Sequence, residues 1–222
     1  MRLVLGTAQF SNQYGVLKKK VNVKKIFKFI NGEKIIKSID TSPFYGEAEK
    51  IIGKNLERNI KIITKINPFK FISTSKNLDN FKKDLDNTLK NLQTNSIHGL
   101  LFHRESDIKK IKNDFFFYYL DELKKHKIIK KIGFSSYNLD NINDNMNLYN
   151  FKIVQLPVNI FNSSYKYVSN IKYYRKKFNL EFHARSIFLQ GLGLLKKIKS
   201  FRFKKLNNKL IMMDKTSKKF SI

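Results

Sequence analysis

The chain has 222 residues, 45 of them Lys or Arg and 17 Asp or Glu, for a formal net charge of +28; 41% are hydrophobic and 14% aromatic. That suffices for one globular domain, expected over residues 1–222. The absence of cysteine excludes disulfides, thiolate metal sites, thiol nucleophiles and cysteine-ligated iron–sulfur clusters. The longest apolar run, Phe115 to Leu120, falls short of the roughly 20 residues that cross a bilayer, and Leu3 to Leu5 is too short for a signal-peptide core. The expectation is a soluble, cytoplasmic protein.

In chain order, Leu3 to Gly6 reads as a strand. Val23, Ile26, Phe27 and Ile30 recur at helical spacing, with Gly32 as the stop. Ser38 to Asp40 is a short strand end, Ala48 to Leu56 a helix, and Ile60 to Ile66 a β-branched strand. Leu78, Phe81, Leu85, Leu89 and Leu92 form a helical stripe starting near Asn77 or Asp79. Ile97 to Phe102 is a strand, and Ile108 to His126 one helix carrying an aromatic cluster. Lys131 to Phe134, Phe151 to Leu156 and Leu180 to Ala184 are further strands, separated by helices over Leu139 to Leu148 and around Val168 to Phe178. A loop with Gly191 and Gly193 follows, then a basic stretch. Repeated βα units imply parallel strands. Two folds use that pattern, the doubly wound sheet and the (β/α)₈ barrel. No G-x-G-x-x-G follows the first strand, so the former lacks its phosphate fingerprint.

The charge invites a nucleic-acid reading. Composition explains it better: Lys, Asn, Ile, Phe and Tyr are all abundant, Ala occurs three times, and the lysines are scattered along the chain. No nucleic-acid motif is visible. No specific nucleic-acid partner is expected.

Polar residues collect at the C-terminal ends of the strands. Asp40 closes the second, Lys65 the third and His103 the fourth; Ser135 and Ser136 close the fifth, Gln155 lies in the sixth, and Arg185 with Ser186 closes the seventh. Tyr45 follows Asp40 by five residues. Singly, each has a bland reading: a solvated lysine, a packing histidine, an N-cap aspartate. Together, on a barrel, they share the face on which active sites are built. A phenol ordinarily titrates near 10, too high for efficient proton transfer at neutral pH. A neighbouring ammonium favours its phenolate, a carboxylate holds that ammonium, and a histidine orients a carbonyl oxygen. The set suits protonation of an oxygen becoming an alkoxide. A nicotinamide is the obvious hydride donor, with Ser135, Ser136 and Gln155 able to hold a carboxamide.

The segments LGTAQF (5–10), IDTSPFYGEAEKIIGK (39–54), KIITK (61–65), GLLFH (99–103), KKIGFSSYN (130–138), IVQLPVN (153–159) and FHARSIFLQGLGLL (182–195) resemble, in order, the strand-end motifs of aldo/keto reductases. The last resembles a bacterial branch with an HARS-x-x-LQG motif. The resemblance implies a (β/α)₈ barrel that reduces an aldehyde or ketone, sugar-type substrates included, with NADPH and no metal. It implies Tyr45 as general acid, Lys65 tuning it, Asp40 pairing with Lys65, and His103 orienting the carbonyl. Gly6 and Thr7 would border the cofactor. Ser135, Ser136 and Gln155 would hold the nicotinamide amide, Ser136 standing where many members have Asn. Arg185 stands where many have a stacking Tyr; it would stack on the nicotinamide, reach a phosphate, or serve only as a salt-bridged barrel residue. Ser186 would approach the pyrophosphate.

A complete barrel takes about 250 residues. The chain reads as about seven βα units, an incomplete (β/α)₈ barrel whose eighth strand and last helix are missing, with Met212 to Phe220 as the start of the seventh helix. The family's 2′-phosphate residues belong to the missing unit, so NADH remains beside NADPH as cofactor. A truncated gene, a partial sequence and a short form completed by self-association through open barrel edges all fit; truncation is the expectation. The alternative function is a non-catalytic remnant or interaction protein on the same scaffold.

Overall fold

Near-continuous runs of Ile, Leu, Val and Phe suit strands covered on both faces. The computed structural model describes residues 3–11, 21–33, 35–57, 59–70, 74–111, 115–159, 164–194 and 211. Seven strands occur there: β1 (Leu3–Gly6), β2 (Ile36–Asp40), β3 (Lys61–Ile66), β4 (Ile97–Phe102), β5 (Ile129–Ser135), β6 (Ile153–Pro157) and β7 (Glu181–Arg185). Between them run α1 (Val23–Gly32), α2 (Ala48–Asn55), α3 (Thr74–Leu92), α4 (Phe115–Lys125), α5 (Ile142–Leu148) and α6 (Tyr165–Phe178). None of these helices is long and apolar enough to cross a membrane.

All pairings are parallel, and the sheet order is β1-β2-β3-β4-β5-β6-β7. A doubly wound sheet reverses its strand order at a switch point; this order never reverses. The sheet is also curled. Four strand spacings separate β2 from β6, about 19 Å if the sheet were flat. Yet the Gln155 Nε2 of β6 donates to Asp40 Oδ1 of β2 at 3.0 Å. Seven strands curled this way, alternating with helices, form an incomplete (β/α)₈ barrel.

Most of the core lies between the outer sheet face and the helices, where Phe81, Phe102, Phe116, Phe134 and Phe151 are buried. Inside the curl, Ile63, Leu101 and Ile153 form a separate apolar layer. Gly99 and Gly133 make room for it: a Cβ on Gly99 would lie 2.8 Å from Ile153 Cδ1, and one on Gly133 would lie 2.2 Å from the Ile153 carbonyl oxygen. Below this layer, at the first residue of β7, Glu181 accepts from His183 Nε2 (2.9 Å) and Lys131 Nζ, with His98 Nε2 at 3.9 Å. These contacts hold the Glu181 carboxyl well below its usual range, the histidine hydrogen bonds being the largest cause.

The expected elements are present with shifted ends. The stripe helix begins at Thr74, before Asn77. The expected single helix over Ile108 to His126 is two elements, a 3₁₀ segment at Glu105–Lys110 and then α4. The break coincides with a contact from across the fold: Asp107 is buried, accepting from the Phe69 backbone N–H at 3.1 Å, and Ile111 is extended at the end of the 3₁₀ turn. The helix expected over Met212 to Phe220 lies outside the described residues, as does any eighth strand.

Candidate active site

The C-terminal strand ends surround a cleft of about 480 Å³. Its walls include Gly6, Asp40, Tyr45, Lys65, His103, Ser135, Gln155, Arg185 and Ser186. Each strand contributes to it, through its last residues or the loop just beyond.

The local chain explains where Tyr45 sits. Ser42 caps the short turn Pro43–Tyr45, accepting from the Phe44 N–H at 3.2 Å. Pro43 supplies a preset φ at its first position. Gly46 ends the turn at φ 60, a conformation that favours glycine. The turn folds Tyr45 back over the end of β3.

Lys65 is almost wholly buried, at 3% exposure. Its ammonium donates to both Asp40 carboxylate oxygens at 2.9 Å and to the Thr41 carbonyl at 2.8 Å. Three acceptors thus hold the three protons of one ammonium. The same nitrogen lies 5.3 Å from the Tyr45 ring centroid. Thr7 fixes the other side of Asp40, its hydroxyl and its N–H both donating to the Asp40 carbonyl at 3.0 Å. Gln155 donates to Asp40 Oδ1, which leaves its own carbonyl oxygen free to accept.

His103 faces Tyr45 edge-on, with ring centroids 6.4 Å apart, and Ser42 Oγ lies 3.3 Å from its Nδ1. Burial, with Lys65 nearby, pushes the imidazole down from 6.5 to about 4. It is neutral at neutral pH. A neutral imidazole keeps one N–H donor for an oxygen in the cleft.

The structure therefore gathers Asp40, Tyr45, Lys65 and His103 at one point, with Gly6, Ser135, Gln155, Arg185 and Ser186 around them. Ser136 is not brought to the cleft. It is fully buried; its hydroxyl donates to the Asn138 carbonyl at 2.9 Å and accepts from the Asn138 N–H at 3.3 Å. A short hydroxyl that closes its own turn is spent locally. Thr7 is likewise fully buried and, although its residue borders the cleft, its hydroxyl serves Asp40.

Three contributors were missed in the sequence. Thr41 supplies a backbone acceptor, which no side-chain pattern reveals. Ser42 meets His103, and its place before Pro43 was a readable capping signal. Tyr137, 81% exposed, meets Arg185, with the guanidinium carbon 4.6 Å from its ring centroid. Beyond β7, Ser186, Leu189 and Gln190 hold left-handed φ values of 57, 50 and 57, and Ser186 and Gln190 line the cleft. Such backbone is costly for residues other than glycine and clusters at functional sites.

The fold is shared with solved structures. The glycerol dehydrogenase AKR11B4 from Gluconobacter oxydans superposes with a TM-score of 0.71 at 22% identity, over 97% of this chain and 72% of that one. The aldo-keto reductase AKR11C1 from Bacillus halodurans, in its holo form, gives 0.68 at 19% identity, over 90% and 66%. The Bombyx mori aldo-keto reductase AKR2E4, in complex with NADP, gives 0.59 at 17% identity, over 83% and 62%. No curated protein matches. The family model described as Aldo/keto reductase family matches residues 2–219. With that match running through all seven strands and the polar cluster at their ends, the chain belongs to the aldo/keto reductase family.

Proposed function

We propose that the chain reduces an aldehyde or ketone with NADPH, Tyr45 acting as general acid. Family membership supports NAD(P)H-dependent carbonyl reduction in general; the acid and the cofactor form are the specific part of the proposal. One observation carries it: a buried ammonium, saturated by Asp40 and Thr41, is fixed beside the Tyr45 phenol, which lines the cleft together with Lys65 and His103.

The cleft fits a nicotinamide. A Cβ built on Gly6 meets nothing within 4 Å, so the backbone there is open to a flat ring. The free Gln155 carbonyl suits a carboxamide N–H, and Ser135 lines the same wall. Ser136 drops out of that set because its hydroxyl is spent on Asn138. Two of the solved relatives carry support for the cofactor, one being a holo form and one an NADP complex. When bound, the cofactor would supply the hydride.

The protein supplies the rest. His103, neutral, donates its N–H to the carbonyl oxygen and sets its direction. As negative charge builds on that oxygen, the Tyr45 hydroxyl gives up its proton to it. The carbonyl becomes an alcohol, and the phenolate left behind is stabilised by the Lys65 ammonium. Asp40 and Thr41 keep that ammonium in place, and Thr7 and Gln155 keep Asp40 in place.

The test is Tyr45→Phe. Turnover of a panel of aldehydes, followed by NADPH absorbance, is expected to fall by about 10²–10⁴-fold, while NADPH affinity, followed by cofactor emission, holds. Full turnover in the variant would remove Tyr45 from the acid role.

A further inference from the structure

The charges lining the cleft do not cancel. Among the described residues Asp40 is the only carboxylate in its wall, and it is committed to Lys65. His103 is neutral. That leaves Arg185, which has no carboxylate partner among the described residues. Its position is nonetheless fixed. One Nη donates to the Ser136 carbonyl at 3.1 Å, and the guanidinium carbon sits over the Tyr137 ring, 4.6 Å from its centroid. Its buried Nε has no hydrogen-bond partner. Its charge is felt at His103, where it adds to burial and Lys65. The neighbouring rim is apolar and exposed: Ile187 and Phe188 on one side, Phe44 next to His103 on the other.

A guanidinium held by a ring face and one carbonyl keeps most of its five donors and all of its charge. In a cleft with low-dielectric walls, such a cation favours an anion strongly, and a planar fork favours a carboxylate or phosphate. We propose that Arg185 receives an anionic group of the substrate, so that the preferred substrates are carbonyl compounds carrying a carboxylate or phosphate beside an apolar body. The inference rests on the carbonyl-reductase reading above and names its substrate class.

The test uses a matched pair, para-carboxybenzaldehyde and its neutral methyl ester. Wild-type protein is expected to favour the carboxylate in kcat/KM. Arg185→Gln is expected to shrink the carboxylate-to-ester ratio by about tenfold or more, and Arg185→Lys to keep part of it. Lys109→Gln, which removes a charge outside the cleft wall, leaves the ratio unchanged. A ratio that survives Arg185→Gln overturns the proposal. So does an equal fall in Lys109→Gln, which would assign the preference to bulk charge. If Arg185→Gln weakens NADPH binding with the ratio intact, the anion is a cofactor phosphate and the substrate assignment is wrong. A second readout needs no turnover: the Arg185 Nε–H resonance, identified by its loss in Arg185→Gln, during titration with inorganic phosphate. A saturable shift with no reduction of either aldehyde would sink the reductase reading and keep the anion site. No shift would sink the anion site, whatever the turnover.

Discussion

Replacing Lys65 by Met separates the structural from the chemical work of one buried charge pair. The Lys65 and Asp40 side chains are 2% and 14% exposed, with nitrogen and oxygen 2.9 Å apart. At an effective dielectric of about 20, the attraction is about 6 kcal/mol before desolvation is charged against it. Lys65→Met leaves the Asp40 carboxylate with Gln155 as its remaining side-chain donor. Breaking such a pair from one side costs about 3–5 kcal/mol, a large part of a typical 5–15 kcal/mol stability. The double variant Lys65→Met/Asp40→Asn removes both charges and keeps an amide oxygen to accept from Gln155. It is expected to regain part of the lost stability, because no uncompensated charge is left buried, although the Thr41 carbonyl still loses its donor. Turnover is expected to stay low in both, by about hundredfold or more. Urea unfolding by circular dichroism, with carbonyl reduction run in parallel, reads the two quantities. Recovery of turnover in the double variant, or a single variant as stable as wild type, would refute the reasoning.

Other expectations follow from single contacts. Gly133→Ala places a Cβ 2.2 Å from a backbone oxygen of Ile153; it should cost about 1–3 kcal/mol or more by thermal or urea unfolding. Gly6→Ala meets nothing, so stability should hold within about 1 kcal/mol while NADPH affinity falls. His103 titrates near 4 when folded against 6.5 as its ordinary value. The unfolded chain therefore binds its proton first, and the stability His103 contributes, complete above about 6.5, is lost as pH falls toward 4. Glu49, pushed up by burial despite bonds from Thr64 and Thr88, acts with the opposite sign near its own range. The readout is therefore the difference in unfolding temperature between wild type and His103→Asn across that window; an unchanged slope would show that His103 is not the titrating group.

The polar residues at strand ends were legible because a parallel βα repeat puts every such end on one face. Asp40, Lys65, His103 and Gln155 needed only the period of the strands and their order. Ser136 lies off the cleft lining, its hydroxyl taken by a nearer acceptor two residues along, and local capture is invisible to a motif. The split of the Ile108 to His126 helix was hidden too: the aromatic run continues the helical pattern, and the break coincides with a contact from Asp107 to Phe69 across the fold. His98 and His183 both turn toward Glu181, a pairing that depends on the curl. The contact of Tyr137 with Arg185 joins the loop after β5 to the end of β7, nearly fifty positions apart, as the 49-residue separation of the Arg185–Ser136 bond indicates.

Consecutive strand order has a consequence for how the molecule breathes. Each strand is bonded only to its chain neighbours, and β1 and β7 have one partner each among the described residues. Amide hydrogen exchange should therefore grade outward, slowest in β3, β4 and β5 and fastest at the two flanks, as expected for cooperative units that open in sequence. The cluster around Lys65 and His103 sits on the slow strands, whereas Gly6 and Arg185 ride on the fast ones. Sub-global opening of a flank would reshape what the cleft admits while the proton-handling centre stays folded, so ligand protection of β1 and β7 amides would report occupancy before any change reached the middle of the sheet.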